Sequence, residues 1–215
     1  TLIEALGAGA LAVARRTPSG TEIASGRALR QQVGGLESLK GTLRVDGGTA
    51  TIGAGIDGAG ALQVTGGTAT ISSAFAFPGA LLQSGGTLNG SANATFNGAS
   101  TWSGGSMAGA GRTVIGSSGT LAINGAGKTL SRVLEIDGSA AWTAANWFFN
   151  NGTVRSTAAE TVDVGTVRFH NRGVVQSGAG RLRLLSESYW YDGNQVAGGG
   201  AVVLAGGSAT FSGLT

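Results

Sequence analysis

Between Thr42 and Met107, hydrophobic and polar residues alternate in short runs, and each run breaks at a pair of glycines. Leu43 and Val45 alternate with Thr42 and Arg44, then Ala50 and Ile52 alternate with Thr49 and Thr51. The same order returns at Leu62, Val64, Ala69 and Ile71, with Thr68 and Thr70 between the last two runs of apolar positions. A period of two sends successive side chains to opposite faces of a strand, so one set points inward and the other meets solvent. The glycine pairs open at Gly47, Gly66, Gly85 and Gly104, a constant interval of 19 residues. A fixed period near twenty, built of short strands and turns, marks a repeat architecture. Glycine suits the corner between two strands because it takes positive φ without a Cβ clash.

Sheets assembled from consecutive repeats of one length are parallel, with equivalent residues stacked at ~4.8 Å. Hairpins would need loops of about two to five residues and antiparallel pairing. The expected fold is therefore all-β, a single parallel β-helix (a β-solenoid) with coils of about 19–21 residues. Leu43, Leu62 and Leu81 should form one inner ladder, and Val45, Val64 and Gln83 a second. Ile52 and Ile71 begin a third, which Leu88 should extend, and Leu121 is an inward residue further along.

The pattern loosens but persists. Thr113–Ile115, Thr120–Ile123, Val133–Ile136 and Arg181–Leu184 read as strands, and Ala201–Phe211 repeats the opening phrase. Residues 41–215 thus form one continuous domain, with 1–40 as irregular first coils or a partial N-terminal cap. Ala8–Val13 matches Ala59–Val64 at five of six positions, which makes Leu11 and Val13 inward residues of an early coil. Ala28–Val33 is a further candidate strand, and any helix should be confined to the first 40 residues. The start at Thr1 fits an interior or processed piece of a longer polypeptide.

Composition narrows the class. Glycine contributes 41 residues without a three-residue period, which excludes collagen. Charged residues are 12% and hydrophobic ones 41%, the reverse of a disordered chain. Cysteine is absent, so neither a disulfide framework nor a thiolate metal site is expected. The formal net charge is +3, and Arg44, Arg112, Lys128, Arg155 and Arg168 are scattered as solvated single charges, not gathered for nucleic acid. No run approaches the ~18 apolar residues of a membrane-spanning helix.

Candidate chemistry is sparse. His170 is the only histidine and reads as a surface or turn residue, so no metal, cofactor or catalytic triad is expected. Glu135 and Asp137 lie on one side of a strand, about 7 Å apart by strand rise, the separation of a sugar-hydrolysing carboxylate pair. Tyr189, Trp190, Tyr191, Asp192 and Asn194 read as a loop whose aromatic rings stack on a sugar. Thr49, Thr51, Thr68 and Thr70 form an outward threonine ladder similar to the flat face of ice-binding solenoids.

The phrases Gly-Thr-Leu-x-Val, Gly-Gly-Thr-Ala-Thr-Ile, Asn-Gly-Thr-Val and Gly-Arg-Leu-Arg-Leu resemble the repeats of large bacterial surface and secreted proteins. The resemblance is to filamentous-haemagglutinin-like exoproteins and autotransporter passenger domains, and it covers about residues 41–215. It implies a right-handed β-solenoid on or outside a bacterial envelope. The expected function is that of a structural or adhesive extracellular rod and not of an enzyme. A glycan-binding module, a polysaccharide-active enzyme and an ice-binding face are the alternatives. Its partners would be further coils of the same polypeptide or copies stacked head to tail, with surface glycans as the ligand of the glycan-binding alternative.

Overall fold

The computed structural model describes residues 2–7, 10–17, 20–23, 32–33, 42–52, 60–125, 127–142, 147–157, 161–164 and 168–212. From Thr42 onward these residues wind into a β-solenoid whose coils contribute one strand each to up to three sheets. Sheet A has 12 strands, sheet B has 10 and sheet C has 7. Every pairing in sheets B and C is parallel, as is every pairing in sheet A from Gly20–Ile23 to Ala201–Leu204. No helix occurs among the described residues.

Alternation becomes burial. Thr42–Val45, Thr49–Ile52, Ala61–Val64 and Thr68–Ile71 each alternate half-buried and buried residues. Stacking then makes columns. Val45, Val64, Gln83, Trp102, Ile123 and Trp142 follow one another inside sheet A. The expected inner residues Leu43, Val45, Ile52, Leu62, Val64, Ile71 and Leu121 are all buried. Leu88 is buried too, but it pairs with Ala69, while Gly90 is the residue beside Ile71. It therefore belongs to the column of Ala50 and Ala69, and the third ladder passes from Ile71 to glycine.

The glycine pairs are needed at both positions. Gly48, Gly67 and Gly86 have φ of 61°, 61° and 60°, the left-handed turn that closes each corner. A Cβ on Gly66 would stand 2.3 Å from the Asp46 carbonyl oxygen of the coil before. One glycine is required for its dihedral, the other because neighbouring coils meet there backbone to backbone.

Among the described residues, the basic side chains Lys128 and Arg132 are not on the surface. Ser106 pairs with Thr129, so that coil is four residues longer than those before it. The extra corner brings the Asn124 and Gly125 carbonyls to 2.6 Å from Lys128 Nζ, and Lys128 is buried. This corrects its reading as a solvated charge: the ammonium donates to both corner carbonyls and so offsets its burial. Arg132 is also buried, and it donates to the carbonyls of Gly111, Ala108 and Ala92, tying three successive coils. Burial lowers the pKa of both, that of Arg132 to about 10.

At the N-terminal end, Leu2–Gly7 pairs antiparallel with Ala10–Thr17, which pairs antiparallel with Gly20–Ile23. The strand holding Leu11 and Val13 is thus part of a meander and not of a coil. Alternation shows that a segment is extended, whereas its direction is set by the turns around it. In the Ala28–Val33 stretch Gln32–Val33 is a strand, and residues 28–31 lie outside the described residues.

Candidate functional site

The feature richest in side-chain chemistry lies on the outer face of sheet B. Register builds it: Thr49, Thr68, Thr87, Ser106, Thr129, Phe149, His170, Tyr189 and Thr210 occupy one outward column. The first five rungs carry hydroxyls and the next three carry rings. Phe149 and His170 have centroids 5.0 Å apart, and His170 stacks on Tyr189 at 4.5 Å with planes 10° apart. Tyr191 places its hydroxyl 2.7 Å from His170 Nδ1, and the Arg172 guanidinium lies 4.4 Å from the centroid of the Tyr191 ring. Glu187 accepts from Arg168 at 3.0 Å and from the Tyr189 hydroxyl at 3.2 Å.

Stacking holds His170 in place and buries it. Burial first, then the positive fields of Arg172 and Arg168, lowers its pKa below the ordinary value of 6.5. The neutral imidazole is the form this column favours. The rings press their faces against one another, so the stripe shows solvent mainly ring edges, the tyrosine hydroxyls and the Arg168–Glu187 pair. A sugar that stacks on aromatic faces gets little area here.

The expected sugar loop is revised by this geometry. Ser188–Trp190 is a strand, and Trp190 is buried with its Nε1 donating to Ser188 Oγ at 3.1 Å. Alternation forces this, because with Tyr189 outward its neighbour points in. Tyr189 and Tyr191 stay at the surface, Asp192 is exposed, and the Asn194 amide donates to the Tyr191 carbonyl and so closes the turn. Phe149, His170 and Arg172 were missed as members of this group. The signal was there: Phe149, His170 and Tyr189 follow at 21 and 19 residues, within the expected coil length of about 19–21.

Other candidate residues tie coils together. Asn150 and Asn171 are stacked inside the sheet B corner, amide to carbonyl at 2.7 Å. Each also satisfies the turn that follows it, Asn150 through the Gly152 N–H and Asn171 through the Gly173 N–H. Glu135 lies between Arg112 at 3.0 Å and Arg155 at 3.7 Å, and Asp137 accepts from the Thr157 hydroxyl. Both carboxylates of the expected hydrolytic pair are thus engaged by neighbouring coils. Asp163 receives both arms of Arg183, from the next coil, at 2.7 and 2.6 Å. That hydrogen bonding pulls the Asp163 pKa below its ordinary range and raises that of Arg183.

Of the threonine ladder, Thr49 and Thr68 open the long hydroxyl column, while Thr51 and Thr70 lead to Asn89 in the adjacent one. Among the described residues no group of three His, Cys, Asp or Glu is placed to hold a metal ion. No described helix is long and apolar enough to cross a membrane. The fold and side-chain ladders define the chain as a parallel β-solenoid. None of the protein families, curated proteins or solved structures compared with it matches.

Proposed function

We propose that the chain is a segment of a structural, adhesive rod on or outside a bacterial envelope, as part of a surface, matrix or filament-forming protein. The observation supporting this reading is the unbroken coil-to-coil register from Thr42 to Phe211. Polar side chains that elsewhere would line a site here join one coil to the next, as Arg132, Asn150 and Asp163 do. In such a rod each coil contacts only its neighbours, and coils are interchangeable. Deletion of residues 61–79 tests this, since Ala80 stacks directly on Ala61. The shortened chain should fold and scatter X-rays as a rod one strand spacing, ~4.8 Å, shorter. Collapse to an unfolded chain would reject interchangeable coils, and antibody labelling of intact cells tests the location.

A second reading, glycan binding by polar contacts and not by stacking on ring faces, draws on the clustering of Arg172, Glu187 and the tyrosine hydroxyls of Tyr189 and Tyr191. A glycan array probed with the chain and with Tyr191→Ala tests it, binding lost in the variant being the expected result.

A further inference from the structure

We propose that Tyr191 is a site of one-electron oxidation, its hydroxyl proton passing to His170 Nδ1, and that two copies of the chain become joined there as a dityrosine. This goes beyond the rod reading and does not depend on it. The chain holds two tyrosines, Tyr189 and Tyr191, and both are half-buried. Cysteine is absent and Met107, Trp102, Trp142 and Trp190 are buried, so these side chains compete little for an oxidant in solution.

What sets Tyr191 apart is its proton acceptor. A phenol that loses an electron but keeps its proton becomes a strongly acidic cation, which is the costly route. A base already bonded to the hydroxyl takes the proton in the same step, and a neutral phenoxyl radical forms directly. The Tyr191 hydroxyl lies 2.7 Å from His170 Nδ1. The imidazole is held for this contact, with Phe149 at 5.0 Å, Tyr189 stacked on it at 4.5 Å and the Tyr191 ring itself at 5.8 Å. Burial and the neighbouring guanidinium groups keep the imidazole neutral at pH 7, and a neutral imidazole has one acceptor nitrogen. Here Nδ1 is the acceptor and Nε2 carries the proton.

Tyr189 lacks this arrangement. Its hydroxyl donates to Glu187 Oε2 at 3.2 Å, and the same oxygen accepts from Arg168 at 3.0 Å. A carboxylate oxygen shared with a guanidinium is a poor proton acceptor, because the cation favours its charged form. Arg172 adds a second bias. Its guanidinium, 4.4 Å from the Tyr191 ring centroid, opposes a cation radical but not a neutral one. Oxidation of Tyr191 is therefore tied to departure of its proton.

The electrons go to a one-electron oxidant of the peroxidase type, fed by hydrogen peroxide. Each Tyr191 gives one electron to the oxidant and one proton to Nδ1, leaving a phenoxyl radical and an imidazolium. Radicals on two chains form a carbon–carbon bond between ring positions next to the hydroxyls. The hydrogen on each joined ring carbon then moves to the oxygen and restores the phenol, and each imidazolium returns its proton to water. In sum, two phenols and one hydrogen peroxide give one dityrosine and two waters.

Photogenerated ruthenium(III) tests the site, because this oxidant needs no docking surface. The chain should give dityrosine fluorescence and a covalent dimer on a denaturing gel. Tyr189→Phe should keep both, and Tyr191→Phe should lose most of both. His170→Phe keeps a ring in the column but removes the acceptor, and should slow dimer formation several-fold. In the unaltered chain the rate should fall as pH drops below 6.5 and the imidazole takes up its proton. Nitrogen NMR above that pH should find Nδ1 unprotonated. Arg168, Arg172, Tyr189, Tyr191 and Glu187 surround the imidazole, and Glu187→Gln should leave the fall in place. Dimers that persist in Tyr191→Phe, a rate flat in pH, or a proton found on Nδ1 would each overturn the assignment. Chains that stay monomeric without dityrosine would overturn it too. If His170→Phe fails to fold, the pH profile of the unaltered chain decides. None of these results touches the rod reading, which the coil deletion decides.

Discussion

The coils between Thr42 and Met107 and those between Phe148 and Phe211 share one register but solve the interior differently. In the early coils the inner columns are mostly aliphatic, such as Leu43–Leu62 and Ile52–Ile71, and the corners are glycine pairs. In the later coils the sheet B interior holds Phe148 stacked on Phe169 at 5.6 Å, the Asn150–Asn171 pair and Trp190. The glycine pairs turn the chain from sheet A to sheet B, whereas the asparagine followed two residues later by glycine turns it from sheet B to sheet C. A regular interior can rely on repetition, since each coil finds the same partner. Where ring sizes change from coil to coil, hydrogen bonds between side chains fix what repetition no longer fixes.

The largest effect should come from a charge placed inside the repetitive half. Leu62 lies directly between Leu43 and Leu81, an aliphatic side chain on either side. Leu62→Asp buries a carboxylate without a partner, a loss of several kcal/mol, and should unfold the early coils. Arg44→Ser, one coil away on the outer face, should change the melting temperature little. Equal melting temperatures for the two variants would overturn the assignment of inside and outside.

A smaller loss is expected at a corner. Gly67 has φ +61°, and a Cβ there would stand 2.5 Å from the Gly47 carbonyl carbon. Gly67→Ala should destabilise by about 1–3 kcal/mol through backbone strain. In the later half, Asn171→Ala strips the Asn150 amide of one acceptor and the Gly173 N–H of another. Leaving buried polar groups unpaired costs about 1–3 kcal/mol, at the lower end here because Asn150 also donates to the Val174 carbonyl. Urea titration of both variants compares the halves directly. A neutral Gly67→Ala would mean that the corner between sheets A and B tolerates a Cβ and does not depend on the positive φ.

The early half was the legible one. Strict alternation and the 19-residue interval give its ladders, its parallel pairing and its corners. The 19-residue interval carries Ala69 to Leu88 and Ile71 to Gly90, so the interval was the sound guide and the hydrophobic match of Leu88 with Ile71 the misleading one. The later half was harder for a related reason: once coil length varies, equivalence between residues depends on where the extra residues sit. Lys128 shows this, being buried because the longer corner Asn124–Gly125 curls onto it. Trp190 shows that a run of three aromatic residues fixes alternation but not which parity is inside. Leu11 and Val13 show that extended sequence carries no arrow, as the antiparallel meander at the N-terminal end demonstrates.

The smallest expected effect concerns acid, and it separates the halves by chemistry. His170 is buried between Phe149 of the preceding coil and Tyr189 of the following one, near Arg168, Arg172, Tyr191 and Glu187. Its folded-state pKa lies below the unfolded value near 6.5. The unfolded chain therefore binds a proton first as pH falls, and stability shrinks with it. The contribution is complete above pH 6.5 and is lost as pH drops from there through the folded-state value. Asp163 responds in a separate window: its folded pKa is depressed, so its contribution is present above the ordinary value of 3.8 and is lost at lower pH. Urea midpoints measured at steps from pH 8 to about pH 5 should fall in the wild type, in the window set by imidazole titration. His170→Phe keeps a ring in the column and removes the proton site, so the slope in that window should flatten even if the variant is somewhat less stable at every pH. An unchanged slope would place the acid response elsewhere and would reduce His170 to a ring among rings.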